Sequence, residues 1–288
     1  MQLLFGAFLS CTVCLGYLAA QDAPSPLPGR APVEIYVTAS VKNSSSALLN
    51  QSVMTVTIDQ KPAQVASVRS AKSDKLLFAV LVDASTSDTK QSNSIRESAN
   101  RLFDRLSAGE NQGYLVFFDV TARMSRRPLL PSEAREALAG LKFGGASAIF
   151  DAIAKTCATI LSKRANPNPP RRIILLLSDG DDNQSHTYLQ EAVQSAEKEG
   201  VSVFALLTTD TEDSGERVLR EIAKKTGGQI ITNMKMEEGV KDVLAAIDSQ
   251  WVLSLVPPPS SNPNLHSIIV TSSAKHVHLS APAQIVLQ

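Results

Sequence analysis

Residues 78–90, FAVLVDASTSDTK, combine a run of apolar residues with an aspartate at its end. Two serines follow at alternate positions, so Asp83, Ser85 and Ser87 lie where the apolar run ends. A short apolar run without polar alternation is typical of a strand that is buried on both faces. The pattern therefore predicts a buried strand that presents a carboxylate and two hydroxyl groups at its carboxyl end.

Four such apolar runs alternate with helical patterns between residue 76 and about residue 250. The apolar runs are LLFAVLV, GYLVFF, RIILLLS and VSVFALL. The helical patterns are SNSIRESANRLFDRLS, SEAREALAGLK, SAIFDAIAKTCATILSK, TYLQEAVQSAEKEG, SGERVLREIAKKTGG and MEEGVKDVLAAIDS. Buried strands interleaved with helices are typical of a mainly parallel sheet that is covered by helices on both sides. The sequence thus predicts an α/β fold with a Rossmann-like, doubly wound, mainly parallel sheet.

β-rich segments lie on both sides of this region. Residues 33–73 contain VEIYVTASV, SVMTVTI and AQVASV, and the DQKP between the last two predicts a hairpin. Residues 251–288 contain WVLSLV, LHSIIVTSS and AQIVLQ. Because both ends of the chain are β-rich, we expect them to pair with each other. The predicted architecture is an α/β domain of residues 74–250 with a small flanking β domain built from both chain ends.

The N-terminal residues predict export. Residues 1–20 carry no charge and are typical of a secretory signal peptide, and the proline-rich residues 21–32 predict a linker. The absence of Lys or Arg near Met1 leaves an uncleaved N-terminal anchor as an alternative. No later segment approaches transmembrane length, so we expect a secreted or periplasmic protein with no membrane span in the mature chain. Cys157 lies on the apolar face of a helical pattern and is predicted to be a core residue.

The composition excludes several classes of protein. Lys plus Arg and Asp plus Glu number 28 each, which gives a net charge of zero. A nucleic-acid binder or a polybasic membrane-surface protein would carry an excess of positive charge. Hydrophobic residues make up 43% of the chain, which is typical of a globular protein with a proper core. We therefore expect neither nucleic acid nor a membrane surface among the partners.

Further oxygen ligands are predicted at the same edge of the sheet as Asp83. Asp179 ends the run RIILLLSD, and Ser147 follows a glycine pair in FGGASAIFDAI. Ligands of open parallel sheets bind at the carboxyl ends of the strands, and the glycines allow the backbone near Ser147 to approach that edge. Two carboxylates and three hydroxyls are hard ligands that suit Mg²⁺, Mn²⁺ or Ca²⁺ better than zinc. The predicted metal ligands are Asp83, Ser85, Ser87, Ser147 and Asp179.

These motifs resemble the metal-ion-dependent adhesion site (MIDAS) of von Willebrand factor A domains. The matching stretches are DASTS at 83–87, Ser147 after GG, and LSDG at 177–180, and the resemblance covers roughly residues 74–250. Two positions depart from the family pattern: Ser147 stands at the threonine position, and Thr86 stands where a glycine is common. GGASAIFDAI, RRIILLLSDGDDNQS and AKKTGGQI also resemble the bacterial secreted subfamily called VWFA-related, of the acidobacterial type.

The resemblance implies the von Willebrand factor A fold and a metal-dependent function in protein binding or adhesion. In the family the serine and threonine hydroxyls bind the metal directly, and the aspartates act directly or through water. An Asp or Glu carboxylate of a protein partner completes the coordination. We therefore expect Mg²⁺, or Mn²⁺ or Ca²⁺, as the cofactor, and we expect Thr86, Asp182 and His186 at the rim that contacts the partner.

Other interpretations remain open at this stage. Ser85 and Ser87 taken alone also suit a helix cap, although their combination with Ser147 and Asp179 favours a metal site. The main alternative function is a structural scaffold with a vestigial metal site that binds through its β domain. A hydrolase is disfavoured because GASAI has Ile149 where a nucleophile elbow needs glycine, and no P-loop or dinucleotide motif is present. We expect the protein not to be an enzyme.

Overall fold

A computed structural model of the protein describes residues 32–41, 49–163, 171–209, 214–232, 235–259 and 264–287. All of them belong to one compact unit, Ala31–Gln288. The predicted signal peptide, and the predicted linker up to residue 31, lie outside the described residues. No helix within the described ranges is long and apolar enough to cross a membrane.

The described residues form thirteen strands, six α-helices and two short 3-10 helices. The strands are β1 (Val33–Val41), β2 (Met54–Ile58), β3 (Lys61–Ser70), β4 (Leu77–Asp83), β5 (Gln112–Phe118), β6 (Ala122–Met124), β7 (Arg172–Ser178), β8 (Val201–Leu207), β9 (Ile230–Ile231), β10 (Gln250–Val256), β11 (Leu265–Ser272), β12 (Val277–Ser280) and β13 (Gln284–Val286). The helices are α1 (Ser92–Leu106), α2 (Pro131–Ala139), α3 (Ile149–Thr159), α4 (Leu189–Glu199), α5 (Ser214–Lys225) and α6 (Met236–Asp248), with 3-10 turns at Gln51–Val53 and Ser87–Gln91.

The central sheet has six strands in the order β6-β5-β4-β7-β8-β9. All of its pairings are parallel except that between β5 and the edge strand β6. Every residue of β4, β7 and β8 is buried, which explains why these strands are unbroken apolar runs in the sequence. One apolar cluster covers each face, with Phe78 and Phe103 on one side and Ile153 and Leu176 on the other. The predicted doubly wound α/β fold is confirmed.

A second, antiparallel sheet combines both ends of the chain, as the sequence predicts. Its seven strands run in the order β12-β1-β10-β3-β2-β11-β13, so N-terminal and C-terminal strands are neighbours. Val37, Val56 and Leu253 are among the residues of its own apolar cluster. The predicted hairpin joins β2 to β3 through Asp59 and Gln60, both of which have positive φ angles. Two positive φ angles in a two-residue turn match the twist of the paired strands.

Arg171 lies at a buried polar junction between the two sheets. Its guanidinium donates from Nε to Oε1 of Gln250 at 2.8 Å and from Nη1 to the carbonyl of Ala71 at 3.1 Å. Nη2 donates to the carbonyl of Ile247 in the last turn of α6. The amide of Gln250 in turn donates to Oγ of Ser202 at the start of β8 at 3.1 Å. One cation thus connects the end of β3, the end of α6 and the start of β10.

Cys157 lies on α3 and is fully buried among apolar residues. Burial raises the pKa of its thiol, because a low-polarity environment disfavours the charged thiolate. An inaccessible, protonated thiol is unsuited to nucleophilic chemistry. The prediction that Cys157 is a core residue is confirmed.

Candidate metal centre

Three loops meet at the carboxyl ends of β4 and β7 and carry the predicted metal ligands. Because β4 and β7 are parallel neighbours, the loop that follows Asp83 and the loop that follows Ser178 leave the sheet at the same edge. The third loop runs through Gly144 and Gly145 into α3 and carries Ser147. The strand-end positions that the sequence predicts are thereby assembled from segments about 60 and 95 residues apart along the chain.

The carboxylate of Asp83 is the centre of this arrangement and is fully buried. Its Oδ1 accepts a hydrogen bond from the backbone amide of Ser85 at 3.0 Å. Its Oδ2 accepts from the hydroxyl of Ser147 at 2.9 Å and from that of Ser178 at 2.7 Å. No Lys, Arg or His of the described residues forms a salt bridge with it. The carboxylate is therefore surrounded by hydroxyl groups, without a positive partner in the described part of the chain.

Burial raises the pKa of the Asp83 carboxyl, and hydrogen bonds from Ser178, Ser85 and Ser147 only partly oppose the shift. The shift reflects the free-energy cost of holding a negative charge in a low-polarity environment. A divalent cation at this position would compensate that cost and would favour the ionised carboxylate. The electrostatics of Asp83 therefore fit a metal ion.

Ser85 and Ser87 extend the cluster from the buried carboxylate towards the surface. Their hydroxyl oxygens lie 3.0 Å apart, and Ser85 is buried whereas Ser87 is exposed. Adjacent ligands of an octahedral Mg²⁺ ion at 2.0–2.1 Å are separated by about 2.9 Å. The spacing of the two hydroxyls thus fits neighbouring positions of such an ion, with one side open to solvent.

Asp179 lies next to this cluster but is bonded within its own loop. It is 7% exposed, and its Oδ1 accepts a hydrogen bond from the amide of Asp181 at 3.0 Å. The residue before it, Ser178, donates to Asp83 and accepts from the amide of Gly180 at 3.0 Å. The structure therefore links Asp83, Ser85, Ser87 and Ser147 by direct hydrogen bonds and places Asp179 beside them through Ser178.

Thr86 connects the loop after β4 to the glycine loop. Both its amide and its hydroxyl donate to the carbonyl of Gly145, at 3.0 and 2.9 Å. The amide of Gly144 donates in the opposite direction, to the carbonyl of Ala84 at 2.7 Å. Gly145 has a φ angle of 93°, a conformation that favours glycine. The threonine that replaces the usual glycine thus contributes a hydroxyl bond between the two loops, and it remains exposed.

Asn183 holds Ser147 in place from both sides of its peptide backbone. Its side-chain oxygen accepts from the amide of Ser147, and its own amide donates to the carbonyl of Ser147, both at 3.0 Å. Because these bonds hold the segment before the helix, α3 begins at Ile149, whereas the helical pattern extends back to Ser147. Sequence reasoning missed Asn183 and Ser178. The strand-end position of Ser178, one residue before Asp179, was a usable signal; Asn183 had no such signal.

Asp182 and His186, two of the three predicted rim residues, differ in their accessibility to solvent. Asp182 is half-buried, and its Oδ2 accepts from the amide of Phe150 at 3.0 Å and from the hydroxyl of Ser185 at 2.6 Å. It therefore caps the first turn of α3, where a negative charge is favourable. The side chain of His186 is 93% exposed and lies 3.4 Å from a carboxylate oxygen of Asp151. Of these two residues, His186 is the accessible one.

Gly180 shapes the loop that carries Asp179, and its replacement by alanine is expected to destabilise the protein by about 3 kcal/mol. Its φ angle is 89°, and an added Cβ would lie 2.2 Å from the carbonyl oxygen of Gly215. The left-handed conformation costs a residue with a side chain about 1–2 kcal/mol, and overpacking costs about 1–3 kcal/mol more. Chemical denaturation of Gly180→Ala measures the loss of unfolding free energy.

Gly109→Ala is the matched control for this substitution. Gly109 has a φ angle of 71°, but an added Cβ there would meet nothing within 4 Å. The control therefore has only the conformational cost, about 1–2 kcal/mol. If Gly180→Ala and Gly109→Ala lost the same unfolding free energy, the close approach of Gly180 to Gly215 would add nothing to the cost of the substitution.

Comparison with solved structures finds proteins whose fold is similar to that of this chain. Solved structures with a similar fold include a von Willebrand factor type A protein from Catenulispora acidiphila, with a TM-score of 0.53 and 13% identity over 90% of this chain and 74% of that chain. Proximal thread matrix protein 1 from the mussel byssus, described with a zinc-occupied MIDAS motif, has a TM-score of 0.51 and 17% identity over 66% of this chain and 49% of that chain. At such identities the likeness concerns the fold alone.

The comparison with curated proteins finds no match. The family model of the von Willebrand factor type A domain, however, matches residues 78–246, which is more than half of the chain. The match contains β4 from Phe78 onwards with its DASTS loop, Ser147 and the LSDG segment. The protein therefore belongs to the von Willebrand factor type A domain family.

Proposed function

We propose that the protein is a secreted, metal-dependent protein-binding or adhesion module. In this proposal Asp83, Ser85, Ser87, Ser147 and Asp179 hold a divalent cation at a MIDAS-type site, and an Asp or Glu carboxylate of a protein partner binds there. The observation that carries the proposal is the buried Asp83 carboxylate. It accepts hydrogen bonds from hydroxyl groups, forms no ion pair with a Lys, Arg or His of the described residues, and is connected through Ser85 to the exposed Ser87. When bound, the cation would supply a coordination position for an anionic oxygen of the partner.

The all-oxygen ligand set supports Mg²⁺, with Mn²⁺ or Ca²⁺ as alternatives, because hard cations prefer oxygen ligands. The mussel protein with a zinc-occupied motif supports a divalent ion in a site of this type. In the protein described here, Ser178 and Asn183 act as positioning residues. Ser178 donates to the carboxylate of Asp83, and Asn183 holds the backbone of Ser147. Such partners of metal ligands orient the ligands before the ion binds.

The surface around the ligands supports a contact with a partner protein. Thr86 and Ser87 are exposed on the loop that follows Asp83, and His186 is exposed on the loop that follows Asp179, so these side chains are accessible to a partner whose carboxylate reaches the cation. The proposal includes no enzymatic activity. Cys157 is buried, and His186 contacts Asp151 at the surface.

Secretion and the finer family assignment are also part of the proposal. The uncharged residues 1–20, followed by proline-rich residues, support an exported protein. GGASAIFDAI, RRIILLLSDGDDNQS and AKKTGGQI support membership of the bacterial secreted VWFA-related subfamily of the acidobacterial type.

Calorimetric titration of Mg²⁺ and Mn²⁺ into the wild type, Ser87→Ala and Ser132→Ala tests the metal site. Ser87 is exposed, so its replacement removes one predicted ligand with little effect on packing. Ser132 is an exposed serine of α2 and gives the same chemical change outside the site. We expect saturable binding by the wild type and Ser132→Ala, and binding weakened by about 10-fold or more in Ser87→Ala. Equal affinities in all three proteins would contradict the assignment.

Selection from a random-peptide display library in Mg²⁺, with elution by EDTA, tests the partner chemistry. We expect the eluted peptides to be enriched in Asp and Glu and to bind the wild type but not Ser87→Ala. The charge of a partner carboxylate is the feature that a metal-centred site recognises. Retention in EDTA, or enrichment of peptides without acidic residues, would favour the scaffold with a vestigial metal site.

A further inference from the structure

A cavity of about 90 Å³ is lined by residues of both sheets. One side is formed by the amino ends of β7 and β8 and the end of α4, and the other by residues 33–36 of β1 and residues 284–286 of β13. An internal space of about 10–15 Å³ is enough for one water molecule, so this cavity has room for a ligand of several non-hydrogen atoms. None of the predicted metal ligands lines it, and it lies at the opposite end of β7 from Asp179.

Two positively charged side chains line the cavity. Arg172, the first residue of β7, is 8% exposed, and Lys163, which follows α3, is partly buried. A Cβ added to Gly200 would lie 3.7 Å from Nζ of Lys163, so the ammonium group lies at the end of α4. Lys163 forms no ion pair with any residue that the structure describes. The cavity therefore brings together two basic groups from different parts of the central domain.

The protein balances these two positive charges only in part. Burial lowers the pKa of both Lys163 and Arg172, and the charge of Arg172 lowers the pKa of Lys163 further. The carboxylate of Glu199 opposes both shifts, and its Oε2 accepts from the backbone amide of Lys163 at 2.5 Å. One acidic group thus acts on two basic groups, so a ligand with a single negative charge would balance this side of the cavity.

Glu197 of α4 supplies a buried carboxyl group to the same cavity. It is 5% exposed, and its Oε1 is buried without a hydrogen-bond partner among the described residues. Burial raises its pKa to about 7, and backbone hydrogen bonds from Gln284 and Ala283 and the charge of Lys225 only partly oppose the shift. A buried polar atom without a partner is costly, and a ligand that bonds to it removes this cost. When protonated, the carboxyl can donate a hydrogen bond to such a ligand.

We propose that this cavity binds a small carboxylate anion with a single negative charge. Arg172 and Lys163 contact the oxygens of the anion, and the protonated carboxyl group of Glu197 donates to it. Hydrogen bonds with an ionised partner are stronger than those between neutral groups, and a guanidinium group can bind a carboxylate through two parallel bonds. The cavity gives the protein a second, metal-independent site, beyond the function proposed above.

NMR titration in EDTA at constant ionic strength tests the chemistry and the position of the ligand. Acetate is the probe, acetamide is its uncharged analogue, and phosphate is the comparison anion with a higher charge. We expect acetate to cause saturable shifts at the amides of Gly200, Val201 and Ser202, which line the cavity. Acetamide should cause none, and phosphate should bind more weakly than acetate. Absence of saturable shifts with acetate, equal shifts with acetamide, or tighter binding of phosphate would overturn the proposal.

Lys163→Gln tests the contribution of the positive charges. It removes one charge at a partly buried position, and we expect it to weaken acetate binding by about 10-fold, because hydrogen bonds to charged groups are among the stronger ones in proteins. Lys198→Gln is the matched control, since Lys198 is an exposed residue of α4 that does not line the cavity. Equal affinities of the two variants for acetate would overturn the proposal.

The pH dependence of acetate binding tests the role of Glu197. In the wild type the affinity should fall as the pH rises from about 6 to about 8, because ionisation of Glu197 removes the donor and adds a negative charge. Glu197→Gln keeps a donor and does not titrate, so its affinity should not change over this range. An equal fall in Glu197→Gln would overturn the proposal. It would assign the pH dependence to the other ionisable groups around this carboxyl, which are Lys163, Arg172, Glu34 and Tyr36 in the cavity lining, Glu199 on α4, and Lys225 with its partner Glu221 on α5.

Discussion

Asp83→Asn is expected to abolish metal binding while leaving the protein folded. Asparagine has the shape of aspartate and keeps an oxygen that accepts from the amide of Ser85. Its amide nitrogen takes the place of Oδ2, and the hydroxyls of Ser147 and Ser178 can rotate to accept from it. The negative charge that would attract the cation is lost. Affinity for Mg²⁺ should fall by at least about 100-fold, since removing one partner of a buried charge pair costs roughly 3–5 kcal/mol.

Calorimetry and thermal unfolding with and without Mg²⁺ measure this effect. An ion that binds only the folded state raises the unfolding temperature, so Mg²⁺ should stabilise the wild type and not Asp83→Asn. Asp104→Asn, the same change at an aspartate of α1 that pairs with Arg135, is the matched control and should respond like the wild type. Equal stabilisation of Asp83→Asn and the wild type by Mg²⁺ would place the ion elsewhere.

The same substitution has a further consequence in the absence of metal. The pKa of the Asp83 carboxyl is higher in the folded protein than its ordinary value, because the group is buried. The folded state therefore binds more protons than the unfolded state above the ordinary carboxyl pKa, and the wild type loses stability as the pH rises through the raised value. Asp83→Asn has no such titration. In EDTA the unfolding free energy of Asp83→Asn relative to that of the wild type should therefore increase from acidic to neutral pH. A difference between the two proteins that does not change with pH would contradict this prediction.

Arg171→Met is expected to destabilise the protein by about 4 kcal/mol, the largest loss of stability among the substitutions considered. Arg171 is 3% exposed and donates to Gln250, Ala71 and Ile247. Hydrogen bonds from a charged donor contribute roughly 1.5–3 kcal/mol each, and relief of the buried charge offsets part of their loss. Methionine fills a similar volume but leaves three buried acceptors without this donor.

The position of Arg171 also predicts how the variant unfolds. Trp251 is the single tryptophan of the chain and lies in β10, next to Gln250, so its fluorescence reports on the antiparallel sheet. Far-ultraviolet circular dichroism reports mainly on the helices around the central sheet. In Arg171→Met the fluorescence transition is expected at lower denaturant than the dichroism transition, because the junction between the two sheets is weakened.

Arg69→Met is the control for this experiment. Its side chain is 45% exposed and pairs with Asp74 at 2.6 Å, so its replacement should cost less than about 1 kcal/mol and leave the two transitions coincident. A loss of less than 1 kcal/mol in Arg171→Met would show that the junction does not hold the two sheets together.

Much of the architecture was predictable because it depends on local periodicity. β4, β7 and β8 are buried along their whole length, so each of their positions must be apolar and each strand is visible as an unbroken run. The pairing of the two chain ends was predictable as well, since both ends are β-rich around an α/β core. The carboxyl ends of β4 and β7 then place Asp83 and Asp179 at one edge of the sheet.

The sequence by itself thus determined the fold class, the family motifs and the strand ends at which the candidate ligands lie. Only the tertiary structure decided which groups contact one another. Ser178, Asn183 and Asp182 bond to residues 95, 36 and 32 positions away, and Arg171 bonds to acceptors 76 to 100 positions away. A periodic pattern records whether a residue is buried within its own strand or helix, because burial repeats with the geometry of that element. Contacts between elements depend on how the elements pack, which no local pattern records.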